Sequence, residues 1–139
     1  MTAMTKPVVA VLIPEPMRQE ILSPAAEAAL SDNATVVSAP DGNPTPALLP
    51  GLLGEAVAAI TGWGTPSITS DVLAVAPNLQ LVAHTAGSIH KLVPAEAVHA
   101  GLKVTHAAAI IADSVAEIVI GQIIRYLRHL DAMDREMKS

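Results

Sequence analysis

The sequence predicts a doubly wound α/β fold: a parallel sheet covered by helices on both faces, followed by one long C-terminal helix. Short runs of Val, Ile, Leu and Ala recur along the chain, and stretches of helical composition separate them. Strands that alternate with helices in this way build a parallel sheet whose crossovers are the helices. The last stretch, from Ser114 to about Met137, is apolar at helical spacing over a long run.

Val8 to Ile13 is a β-branched apolar run closed by Pro14-Glu15-Pro16, and it reads as a buried strand. Pro16 to about Leu30 is helical in composition. Ser23-Pro24 restarts it, with Ser as the cap and Pro at the first helical position. Thr35 to Ser38 is the second strand. Ala39 to Pro50 is rich in Pro and reads as a loop, with a short helix around Ala47 to Leu53. Val57 to Thr61 is the third strand, ending in Gly62-Trp63-Gly64-Thr65-Pro66. Thr69 to Ala76 is a short helix and Leu79 to Ala83 the fourth strand. Pro94 to Ala100 is a helix that starts on Pro and has Gly101 just past its end. Leu102 to Thr105 is the fifth strand. Five such units fit a flavodoxin-like doubly wound parallel sheet of order 2-1-3-4-5, with right-handed crossovers by rule.

Ser114 and Glu117 form an S-x-x-E capping box ahead of an apolar run, so the last helix is expected to start there, with Glu117 as a cap rather than a catalytic acid. On a helical wheel Val115, Val119, Ile120, Ile123, Ile124, Leu127 and their neighbours fill about half the circumference. A surface helix needs an apolar stripe of only about 100°. Each large side chain left in water forgoes roughly 1.5–3 kcal/mol. The expected organisation is a sheet domain over residues 1–112 and a helix over 113–139 that self-associates, giving a homodimer.

Composition narrows the function classes. The 139 residues carry a net charge of −5 and have one Trp, one Tyr and no Phe. Without a basic patch or stacking rings, nucleic acid is not the expected partner. There is no Cys, hence no disulfide framework and no thiolate chemistry, which fits a reducing cytoplasm. No secretory signal or membrane-spanning run is visible, so no membrane partner is expected. The histidines His84, His90, His99, His106 and His129 form no H-x-x-x-H pair, and no metal site is expected. No G-x-S-x-G elbow accompanies Ser88, which argues against a hydrolase. A receiver-like signalling domain would want acids after the first strand and at the end of the third, where this chain has Pro14-Glu15-Pro16 and Thr61-Gly62. Gly62-x-Gly64 fails as a dinucleotide fingerprint, because Ser67 holds the third position and Pro66 lies inside the motif.

Ligands of open α/β sheets bind at the carboxyl ends of the strands. Two loops are therefore candidates: His84-Thr85-Ala86-Gly87-Ser88 after the fourth strand, and Gly62-Trp63-Gly64-Thr65-Pro66 after the third. A turn of small residues exposes successive backbone N–H groups as an anion nest. The same turn could need its Gly for backbone freedom alone, and Trp63 could simply cap the sheet edge.

The stretch Pro77-Asn78-Leu79-Gln80-Leu81-Val82-Ala83-His84-Thr85-Ala86-Gly87-Ser88, then Gly101-Leu102-Lys103-Val104, then Ser114-Val115-Ala116-Glu117, resembles the N-terminal, substrate-binding domain of the D-isomer-specific 2-hydroxyacid dehydrogenases. The resemblance implies that the Gly87 and Ser88 amides hold a substrate carboxylate, with Ala86, His84, Trp63 and Gly64 around them. It implies a 2-keto or 2-hydroxy acid as substrate and NAD(H) as cofactor of the complete enzyme. It also implies that the last helix leads into a dinucleotide-binding domain and helps build a dimer. The catalytic Arg, Glu and His of the family lie in or beyond that second domain, and no residue here matches them. The 139 residues alone are thus expected to bind no cofactor and to be inactive. Departures from the pattern are Ala86 for the first loop Gly, His90 for the usual Asp and Ile111 for the Asn before the helix. Phosphate-substrate members carry Arg where this chain has Trp63 and His84, so a phosphorylated substrate is not expected. The competing expectation is a non-catalytic module that binds a small carboxylate or associates with itself.

Overall fold

The computed structural model describes residues 5–138. The chain divides into two units, Met1–His106 and Ala107–Ser139. In the first, β1 (Val8–Val11), β2 (Thr35–Ser38), β3 (Ala58–Thr61), β4 (Leu81–His84) and β5 (Lys103–His106) form one sheet of order β2-β1-β3-β4-β5. Every pairing is parallel. This is the doubly wound order expected from the alternation of strands and helices. The crossovers carry α1 (Met17–Ile21), α2 (Pro24–Asn33), α3 (Leu49–Leu53), α4 (Ser70–Ala74) and α5 (Ala95–His99).

Local chemistry sets where these elements begin. Ser23 caps α2: its hydroxyl accepts the Ala26 N–H at 3.2 Å, and Pro24 needs no donor in the first turn. Thr69 caps α4 in the same way, through the Val72 N–H at 3.5 Å. The sheet's centre is built from small residues. Ala10, Ala59 and Val82 lie in one row across β1, β3 and β4, and all three are fully buried. With so little side chain on the strands, Leu49 and Leu53 of α3 and Val72 and Ala76 from the α4 region pack into the same core cluster. The core, without Phe, is thus built from Ala, Val, Leu and Ile.

The second unit holds α6 (Ala108–Leu127) and α7 (Leu130–Met137). Its start corrects the expectation from sequence. The helix begins six residues before Ser114, so the Ser114–Glu117 pair lies inside α6 rather than at its cap, and Ala107 at the cap position makes no side-chain hydrogen bond. The reason is propensity: Ala107, Ala108, Ala109 and Ala112 are among the strongest helix formers, and no Gly or Pro interrupts them. The expected single helix also breaks. His129 has φ +51, a left-handed conformation, and α7 starts on its far side. Arg125 bridges the break to Asp131 at 2.6 Å. Half or more of each of Val115, Val119, Ile120, Ile123 and Ile124 is exposed. No described helix is long and apolar enough to cross a membrane.

Candidate functional site

The carboxyl ends of the central strands carry a row of polar residues. Thr61, His84 and His106 are register neighbours on β3, β4 and β5. Thr61 is fully buried and His84 nearly so. The Thr61 hydroxyl oxygen lies 3.0 Å from His84 Nδ1. Burial, and after it repulsion from His106, holds the His84 imidazole below its ordinary pKa, so the ring is neutral at neutral pH.

The loop after β3 is a turn pinned to the sheet. Thr65 does most of the pinning: its hydroxyl donates to the Leu12 carbonyl at 2.7 Å and accepts the Gly62 N–H at 2.9 Å. The Thr65 N–H closes the turn on the Gly62 carbonyl at 3.2 Å. The glycines here have packing duties. A Cβ on Gly62 would stand 2.9 Å from Thr85 Oγ1 and 3.3 Å from Ile13. Gly64 has φ +81 and faces Pro14. Trp63, between them, is 61% exposed.

The loop after β4 is tied to this turn. Thr85 donates twice to the Thr61 carbonyl, from its N–H at 2.8 Å and its hydroxyl at 3.0 Å. Farther along, the Ser67 hydroxyl donates to the Lys91 carbonyl at 2.7 Å, and the Ile68 N–H to the Leu92 carbonyl at 2.8 Å. Between the loops lies a cleft of about 200 Å³. It brings together the expected Trp63, Gly64, His84 and Ser88 and adds Thr65, Ser67, His90 and Lys91. Ala86 is buried, and neither it nor Gly87 lines the cleft.

The cleft's chemistry suits an anion. Among the described residues no acceptor takes the Gly87 or Ser88 N–H. The lining includes two histidines and a lysine but no Asp or Glu. Ser67 and Lys91 escaped the sequence reading because their roles come from a contact between two loops 24 residues apart, and no local pattern marks such a contact. The described residues also include no group of three or more side chains able to hold a metal. Gly62-x-Gly64 does not continue into a dinucleotide fingerprint, because Pro66 lies inside the motif and Ser67 holds its third glycine position.

No protein-family model matches the chain, and no curated protein does. Solved structures do match. A 2-hydroxyacid dehydrogenase from Ketogulonicigenium vulgare aligns with a TM-score of 0.72 at 19% identity, over 98% of this chain and 40% of its own. A phosphoglycerate oxidoreductase from Rhizobium etli aligns at 0.66 and 24% identity, over 96% of this chain and 40% of its own. A dehydrogenase from Rhizobium meliloti aligns at 0.63 and 24% identity, over 92% and 43%. The chain has the fold of part of a 2-hydroxyacid dehydrogenase. It spans about two fifths of the length of the structures it matches. The fold is the one that the resemblance carried by Pro77 to Glu117 implies.

Proposed function

We propose that these residues form the substrate-binding part of a D-2-hydroxyacid dehydrogenase-like oxidoreductase, which passes a hydride between NAD(H) and a 2-keto or 2-hydroxy acid in the cytoplasm. The observation that carries it is the pair of unspent amides at Gly87 and Ser88 beside a small cleft free of acidic residues. Those amides receive the substrate carboxylate, as main-chain dipoles do in an anion nest. His84, Trp63 and Gly64 form the adjoining wall, and Ala86 is buried in the loop. A hydride transfer needs a nicotinamide facing the substrate. The chain carries no dinucleotide fingerprint, and in this reading the cofactor is held outside the described residues.

Two measurements test this. In an ¹⁵N–¹H spectrum, pyruvate should shift the Gly87 and Ser88 amide resonances, and unmoved resonances would overturn the assignment. The purified 139-residue chain, given NADH and 2-keto acids, should show no turnover, and steady oxidation of NADH would contradict it.

The second reading is a non-catalytic module that binds a small carboxylate and pairs with itself. The exposed apolar face of α6 favours the pairing. A homodimer through residues 113–139 also suits the first reading, so oligomeric state does not separate the two. Turnover on adding a separate dinucleotide-binding polypeptide does, because only the dehydrogenase reading expects it.

A further inference from the structure

Lys91 lines the cleft, but the carboxylate reading above gives its side chain no role. It lies in the loop between β4 and α5 with φ +62, a conformation that residues other than Gly, Asn and Asp seldom adopt. The tethers described above hold it there: its own carbonyl takes the Ser67 hydroxyl, and the next carbonyl takes the Ile68 N–H. Among the described residues no carboxylate pairs with its ammonium. Lys91 borders the cleft that Ser88, His84 and Trp63 line, and it also borders two neighbouring hollows of about 270 and 310 Å³. None of the three has an Asp or Glu in its lining. In a chain with 13 acidic residues against 8 basic ones, this leaves a local positive spot on an otherwise negative molecule.

We propose that Lys91 is the residue that makes this cleft select an acid. Its ammonium supplies the full positive charge that holds a small carboxylate against the Gly87 and Ser88 amides. The inference rests on the reading of those amides as a carboxylate site. Amide donors favour an anion but carry no net charge, and a ketone or carboxamide oxygen also satisfies them, though more weakly. A formal charge in the same cleft separates the acid from its neutral analogue. The left-handed backbone is consistent with a side chain positioned by tertiary contacts rather than by local preference.

The test follows the Gly87 and Ser88 amide resonances while pyruvate, and separately its neutral amide, is titrated into the unaltered chain and into K91Q and K91R. Pyruvate should bind K91Q about fivefold more weakly, K91R should bind it nearly as the unaltered chain does, and the neutral amide should not distinguish the three. In the unaltered chain, high salt should weaken pyruvate but not the neutral amide. Equal affinity of K91Q and the unaltered chain for pyruvate would overturn the role of Lys91 while leaving the carboxylate site standing. So would pyruvate binding that salt leaves unchanged, a result that needs no variant to fold. If pyruvate leaves both amides unmoved in the unaltered chain, the site itself falls and Lys91 with it.

Discussion

Thr61 and His84 end adjacent strands side by side, with the threonine hydroxyl oxygen 3.0 Å from the histidine Nδ1. The same hydroxyl is 3.4 Å from the Ala83 carbonyl, so the shorter contact is the stronger one. Each polar atom satisfies the other at a place that water reaches poorly. Thr61→Val keeps the shape and removes the hydroxyl. It should cost about 1–3 kcal/mol, because a buried ring nitrogen loses its partner. Urea denaturation of the two proteins would measure the difference, and equal midpoints would mean that the contact contributes nothing.

The lowered pKa of His84 gives stability a definite pH dependence. In the unfolded chain this imidazole takes up its proton near pH 6.5, and in the folded chain only at lower pH. Between those values the unfolded state binds more protons, so stability rises with pH. The contribution is complete above about pH 7 and declines as pH falls through about 6.5 toward the folded value. His84→Gln should therefore flatten the fall in melting temperature between about pH 7.5 and about pH 5.5. An unchanged slope in the variant would assign the dependence to other groups.

Gly62 has no room for a side chain. An added methyl would meet a hydroxyl already bound to the Thr61 carbonyl and the buried Ile13. Gly62→Ala should cost about 1–3 kcal/mol by overpacking. It should also move the amide resonances of Thr65 and Thr85, since both are tied to this turn. A variant as stable as the parent, with those resonances in place, would mean that the loops adjust freely.

The exposed face of α6 predicts association. Purified chain should scatter light as a dimer at micromolar concentration. The double change Ile120→Glu and Ile124→Glu should shift it to monomer, since each buried isoleucine contributes about 1.5–3 kcal/mol. A monomer before the change would exclude the homodimer.

Much of the architecture could be read from the chain because its local signals agree with the final packing. Thr35 to Ser38 is the clearest strand: two valines between a helix end and Ala39-Pro40, and the structure has a strand over those same residues. Ser23-Pro24 marks its helix start for a reason internal to four residues. The failures have the opposite character. Ser114-x-x-Glu117 is a valid cap pattern in isolation, but a preceding alanine run of higher helix propensity absorbs it. The break at His129 has no Gly or Pro to announce it. In the cleft, Trp63, Gly64, His84 and Ser88 were within reach because they follow strand ends, where ligands of such sheets gather. Lys91 was not, since its conformation depends on Ser67 and Ile68 from the other loop.

The Thr65 hydroxyl, lodged between the Leu12 carbonyl and the Gly62 amide, fastens the mouth of the cleft to the residue that follows strand β1. That rivet makes one jaw stationary. An incoming molecule meets a surface whose outline was settled when the sheet folded, and it spends little entropy on shaping it. Discrimination on this side becomes a matter of fit and charge rather than of movement.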